Sequence, residues 1–197
     1  GSRLTEILLK NNYTVKALSQ YNSFNHWGWL ESLDFRGRVE ILTGDIRDPH
    51  YCKLITKDVD IIFHLAAQPL ILKSYEDPRG TYEVNTLGTL NLLEASRKSK
   101  SIKSLICITS DKCYESNYST KGFKETDRLG GKDPYSGSKA SAEIIINTYN
   151  ESFFNKGKVG LASARAGNVI GGGDWSDNRL IPDAISSINN NKSIILR

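Results

Sequence analysis

The stretch IIFHLAAQPLILKSYEDPRGTYEVNTLGTLNLLEASRKSKSIKSLICIT, residues 61–109, decides the fold class. It opens on Ile61 to Leu65, a continuous apolar run of the kind that forms a strand buried on both faces. Next, Val84, Leu87, Leu90 and Leu93 fall on one stripe of a helix predicted over about 78–99. It closes on a second apolar run, Leu105 to Thr109. Strand, long amphipathic helix, strand is a crossover unit whose two strands run parallel. Working outward, Thr14 to Leu18, Val39 to Thr43 and Val159 to Ala164 read as further strands. Helices are expected at 4–10, at about 48–57, and at about 134–155, where Ala142, Ile145 and Tyr149 share a face. The expected fold is α/β, a doubly wound parallel sheet of Rossmann type that begins on its first helix without the strand that should precede it.

The chain has 197 residues, 39% hydrophobic and 24% charged, which suits a folded domain with a real core and excludes disorder. No apolar run approaches the roughly 18 residues of a membrane span. The net charge is +4 without a block of basic residues, so a nucleic-acid arm is not expected. Cys52, Cys107 and Cys113 form neither a CxxC pair nor an even disulfide set, and His26, His50 and His64 have no metal-ligand spacing. No metal site is expected, and a reducing cytoplasm fits.

The chemistry gathers at predicted strand ends, where an open parallel sheet binds its ligands. Tyr135-Ser136-Gly137-Ser138-Lys139 opens a predicted helix after Pro134, which puts Tyr135 and Lys139 one turn apart on one face. An ammonium beside a phenol favours the phenolate, a usable proton acceptor for a sugar hydroxyl; the alternative is a surface pair. Thr109-Ser110-Asp111-Lys112 follows a strand directly and delivers hydroxyl, carboxyl and amine to the same edge. Gly44-Asp45-Ile46-Arg47-Asp48 and His64-Leu65-Ala66-Ala67-Gln68 close two other strands. In the second, the alanines leave room for a flat ligand, and His64 reads as a core residue. Ala166 to Trp175 is rich in glycine around Asn168, so its backbone can approach a bulky ligand closely. Residues 112–133 and 166–183 are long enough to be binding loops, and the aromatic segment Tyr21 to Trp29 has no placement from pattern.

Taken together, Asp45, HLAAQ at 64–68, Asn85 within VNTLGT at 84–89, TSDK at 109–112 and the Tyr135–Lys139 pair resemble extended short-chain dehydrogenase/reductases acting on nucleotide sugars. More narrowly, TSDKCY at 109–114, LGGKDPYSGSK at 129–139 and ASARAGNVIGGGDWSDNRLIP at 162–182 are similar to CDP-glucose 4,6-dehydratases. YNSFNHWGWL at 21–30 looks more like related UDP-N-acetylglucosamine-type dehydratases. The resemblance implies that Gly1 stands at the last glycine of a GxxGxxG phosphate turn. Residues 1–165 would then be a truncated NAD-binding Rossmann domain and 166–197 the start of a nucleotide-sugar-binding region. Lacking that turn, residues 1–197 alone are expected to bind NAD weakly.

By the same resemblance the cofactor is NAD, with NADP left open because no Asp or Glu closes the strand ending near Leu18. Gly1, Asp45, Ile46, Leu65, Ala66 and Ala67 would line its site, as would Asn85, Thr109, Tyr135 and Lys139. Gln68, Asn168, Arg179 and Leu180 would contact the sugar or its diphosphate. The implied reaction removes water from a nucleotide-linked hexose, CDP-glucose first, to give a 4-keto-6-deoxy sugar for surface polysaccharide. Tyr135 and Lys139 would serve oxidation at C4, Ser110 the C4 oxygen, and Asp111 the departing C6 oxygen. Most such dehydratases carry Glu as the C5 base where this chain has Lys112, which leaves that base open. A homodimer through the helices at 78–99 and 134–155 is implied. Two other readings remain, a 4-epimerase or reductase of the same superfamily, which has no use for Asp111, and a non-catalytic dinucleotide-binding protein.

Overall fold

The computed structural model describes residues 1–24, 26–33, 37–115, 122–155, 157, 159–176 and 178–194. Strands β1 (Val15–Gln20) and β2 (Val39–Gly44) pair in parallel, with Val15 opposite Val39. Strands β3 (Ile61–His64), β4 (Ser104–Ile108) and β5 (Gly160–Ala164) form a second parallel sheet in the order β3-β4-β5. All five strands lie where the apolar runs put them. The single sheet expected is instead two, because among the described residues no strand lies between β1 and β3 to carry the ladder across.

The helices are α1 (Ser2–Lys10), α2 (Pro49–Ile55), α3 (Ile71–Glu76), α4 (Pro78–Tyr82), α5 (Gly88–Lys98), α6 (Pro134–Tyr149) and α7 (Leu180–Asn189). Asp48, Asp77 and Asp133 cap α2, α4 and α6, each followed by a proline at the first helical position, where a missing N–H costs nothing. The helix predicted over 78–99 carries one π turn, Glu83–Leu87, between α4 and α5. The helix predicted to 155 turns π at Asn150–Phe154. Two helices lie outside the expectations. The six-residue α3 is too short to show a period. In α7, Pro182 falls in the first turn, where proline is tolerated, so the stretch read as loop to 183 is already helical from Leu180.

Leu105 and Cys107 on one face of β4 are covered by Leu92 and Leu93 of α5, by Ile146 of α6 and by Phe154. Strand β1 buries Val15 and Ala17 against Leu9 of α1 and against Leu30. Ile46, Cys52 and Ala95, with Leu18 and Val84 packed against them, join the end of β1 to α2 and α5. With β3, β4 and β5 parallel, the segments that follow them leave from one edge of their sheet. No helix among the described residues is long and apolar enough to cross a membrane.

Candidate active site

Strand β4 ends at Ile108, and the chain passes through Thr109 and Ser110, both buried, into a 3-10 turn at Asp111–Cys113. Ser110 Oγ accepts from Lys112 N at 3.2 Å and donates to Asp111 Oδ1 at 3.2 Å. Asp111 N donates to Ala166 O at 3.0 Å, which ties this tip to the loop after β5. That loop runs close beside the carboxylate, since a Cβ on Gly167 would sit 3.6 Å from Asp111 Oδ2. Lys112 is exposed.

Helix α6 lies against this turn, with Ala140 packed in one cluster with Cys113 and Tyr114. Its first turns are pinned by three hydrogen bonds from two neighbouring elements. Tyr135 N donates to Ser74 Oγ of α3 at 3.1 Å, and Asn85 Nδ2 donates to Ser138 Oγ at 2.9 Å. Thr86 Oγ1 donates to Ser138 O at 3.1 Å. Asn85 sits in the π turn, only 1% exposed, and it also clamps the segment after β3, accepting from Gln68 N at 2.8 Å and donating to Gln68 O at 3.1 Å. The Asn85 amide thus ties the π turn to two elements.

Tyr135 and Lys139 are both buried on one face of α6. Among the described residues, the Lys139 amine has one hydrogen-bond acceptor, Ile108 O, at a long 3.5 Å. Burial pushes this amine down to about 8, with Cys107, Glu143 and Cys113 acting the other way. The structure therefore brings Ser110, Asp111, Tyr135 and Lys139 to one strand tip and the helix packed on it.

The other expected site residues are placed unevenly around this centre. Leu65 and Ala66 are exposed just beyond β3, and Ala67 is half-buried. His64, held by Thr89 Oγ1 at 2.9 Å, is a core group whose imidazole burial pushes down to about 4. Gln68 spends its side-chain amide on Thr81 Oγ1 at 2.9 Å and on both backbone groups of Leu70. Asp45 is bound by Arg47, which holds its carboxyl below the usual range. Ile46 turns its side chain into the core, and its carbonyl accepts from Asn91 Nδ2 at 3.1 Å. Gly1 caps α1. Asn168 and Leu180 are exposed, and Arg179 reaches Pro69 O at 3.5 Å.

Three positions went unread in the sequence. Ser74 and Thr81 carry no motif. Glu143 does have a signal, since it follows Lys139 at the spacing that separates Tyr135 from Lys139. The aromatic segment also finds a place. Trp29 Nε1 donates to Gly173 O at 2.7 Å, and any Cβ at Gly173, whose φ is +86°, would strike the indole. Gly131 matters for a similar reason, because a Cβ there would lie 2.5 Å from Gly137 N and from Ser136 C in the first turn of α6. Gly131→Ala is expected to lower stability by about 1–3 kcal/mol, measured by urea unfolding, because backbone rather than a flexible side chain must give way.

The family model of GDP-mannose 4,6-dehydratase matches residues 1–197, the whole chain. The chain belongs to this family. Within reach of the GDP-mannose 4,6-dehydratase family, the CDP-glucose 4,6-dehydratase of Salmonella typhimurium is 47% identical over 166 residues, which are 81% of this chain and 46% of that protein. The chain thus spans about half the length of this curated relative. The solved dTDP-glucose 4,6-dehydratase of Streptomyces venezuelae, described with NAD bound, superposes with a TM-score of 0.83 at 22% identity. It covers 98% of this chain and 60% of its own, and shares the fold. The UDP-N-acetylglucosamine 4-epimerase of Methanobrevibacter ruminantium superposes at 0.82 and 27% identity, over 98% of this chain and 60% of its own. The parallel Rossmann-like architecture is thus common to dehydratase and epimerase members.

Proposed function

We propose that the protein is an NAD-dependent nucleotide-sugar 4,6-dehydratase acting on CDP-glucose. One observation carries the reading: Tyr135 and Lys139 on α6 are seated against the strand tip that bears Ser110 and Asp111. An epimerase or reductase needs the first pair, and only a dehydratase needs an acid at Asp111. The identity to the Salmonella enzyme, well above that to the epimerase, supports CDP-glucose as substrate.

The residues present fit the cofactor. The buried Lys139 amine has donors to spare beyond its one long bond among the described residues, which suits the vicinal hydroxyls of a ribose. Leu65 and Ala66 offer an exposed apolar shelf at the end of β3. When bound, NAD supplies the acceptor for the C4 hydride and its donor to C6. Tyr135 takes the C4 hydroxyl proton, while Ser110 donates a hydrogen bond to the C4 oxygen. Lys139 holds the ribose and favours the tyrosine anion. A ketone at C4 acidifies the C5 hydrogen. A base takes the C5 proton while Asp111 protonates the departing C6 oxygen, so that water leaves. The C5 base is not assigned to Lys112, which lies exposed without the dry surroundings a lysine base requires.

Residues 1–165 form the dinucleotide half in this reading, and 166–197 belong to the sugar-binding region, where Asn168, Arg179 and Leu180 would meet the substrate. A cytoplasmic homodimer serving deoxysugar and surface-polysaccharide synthesis completes it. The test supplies the protein with CDP-glucose, dTDP-glucose and UDP-N-acetylglucosamine separately and follows the ultraviolet absorbance of a 4-keto product in alkali. CDP-glucose is expected to win by about tenfold or more in kcat/KM, the discrimination a hydrogen-bonded base pocket supplies. Turnover of UDP-N-acetylglucosamine alone would move the assignment to the enzymes that the segment Tyr21 to Leu30 resembles.

A further inference from the structure

Helix α6 carries a third polar side chain on the face of Tyr135 and Lys139. Glu143 lies one turn beyond Lys139, 3% exposed, and has no part in the chemistry above. Its carboxylate is fully engaged. Thr109 donates its hydroxyl to Oε1, Ser163 Oγ donates to Oε2 at 3.0 Å, and Arg165 Nη2 donates to Oε2 at 2.8 Å. Thr109 immediately precedes Ser110 at the tip of β4, whereas Ser163 lies on β5 and Arg165 just past its end. One carboxylate therefore fastens the helix to two neighbouring strands. Arg165 extends the tie, donating from Nη1 to Tyr114 OH and to Glu125 O, both at 3.0 Å, with its guanidinium 4.9 Å from the centre of the Tyr114 ring. Tyr114 in turn stacks on Phe123 at 4.5 Å. Tyr114, Phe123 and Glu125, from the stretch between β4 and α6, are thus tied to the same ion pair.

We infer that Glu143 is a positioning residue, which sets how the Tyr135–Lys139 turn sits on the Thr109–Asp111 tip and places a negative charge behind the Lys139 amine. The inference rests on the reading of those two residues as the catalytic pair. The titratable groups that face Lys139 are His64 from β3, Cys107 from β4, Cys113 from the 3-10 turn, and Tyr135 and Glu143 from α6 itself. Burial keeps the imidazole neutral and pushes the two thiols up to about 12 and about 11. Glu143 is the carboxylate of that set, and its interaction with the amine opposes the burial that lowers Lys139.

Glu143→Gln keeps the volume and an acceptor and removes the charge. In the protein without added ligand, the titration of Lys139, read by carbon NMR of labelled lysine side chains, is expected to move about one pH unit lower. With CDP-glucose, kcat is expected to fall about tenfold or more while KM stays within about twofold, the mark of an interaction used in the transition state. Removing one member of a buried pair can unfold a protein, so a second variant, Glu143→Leu with Arg165→Met, removes both charges and keeps apolar packing. A downward movement of the Lys139 titration is expected there too, smaller than in Glu143→Gln because loss of the Arg165 cation offsets part of the loss of the Glu143 charge. A merely structural Glu143 lowers stability and leaves that titration in place. An unmoved titration in both variants overturns the inference whether or not the protein turns over a sugar. A parent that turns over none, with the titration moved in the variants, overturns the functional reading alone.

Discussion

Asp111→Asn is expected to slow release of the 4-keto-6-deoxy product by about 10²–10⁴-fold, the usual worth of a positioned general acid. The amide matches the carboxyl in size and can still accept from Ser110 Oγ, which lies 3.2 Å from Asp111 Oδ1 in the parent, so the tip should keep its shape. What it lacks is a proton to release to the C6 oxygen. Oxidation at C4 depends on Tyr135, Lys139 and Ser110 and is expected to survive. Reduced nicotinamide should therefore build up toward one equivalent per site after substrate is added, visible by its absorbance. Product release by Asp111→Asn at near the parental rate would sink the dehydratase mechanism and favour an epimerase.

Lys139→Met is expected to abolish turnover and yet make the protein more stable at neutral pH. The amine is buried, and its one hydrogen bond among the described residues is 3.5 Å long. Burial lowers it to about 8 from an ordinary value of 10.5. Between those values the unfolded chain binds more protons than the folded one, so stability rises with pH across that window. Below about 8 the folded protein carries a buried ammonium at its full cost, on the order of 3 kcal/mol. Methionine fills similar space without a charge. Denaturant unfolding should show the variant more stable by up to that amount at pH 7, with the advantage shrinking as pH rises from 8 past 10.5. Loss of kcat/KM by about 10³-fold or more is expected alongside, because positioning of the ribose and support of the phenolate go together. A variant less stable than the parent at pH 7 would show that the amine is better solvated than its surroundings indicate.

Much of the fold was open to reading because its causes are local. Strands β3 and β4 are apolar along their length, and that run is visible without knowing what covers them. The prolines and aspartates that open α2, α4 and α6 act on the nearest N–H groups, so those starts could be placed. Six-residue α3 has too few turns to show a face, yet it supplies Ser74, which holds the backbone of Tyr135. The π turn at Glu83–Leu87 is equally silent in the pattern, because a single wide turn hardly disturbs the apolar stripe of a long helix. It nevertheless decides where Asn85 points. Ile46 and Gln68 show the same limit from the other direction. Their position at strand ends suggested ligand contacts, and the structure spends the side chain of one on the core and the amide of the other on Thr81 and Leu70.

By itself the sequence determined the parallel α/β class, the five strands, and the one-turn spacing of Tyr135, Lys139 and Glu143, since each depends on periodicity or on neighbours a few residues away. Tertiary structure alone decided which groups meet those side chains. Glu143 finds Thr109 34 residues back and Arg165 22 residues on, Asn85 finds Ser138 53 residues on, and Trp29 finds Gly173 across 144. Such meetings follow from how strands and helices stack, and a helix or strand period carries no information about the element it will be packed against.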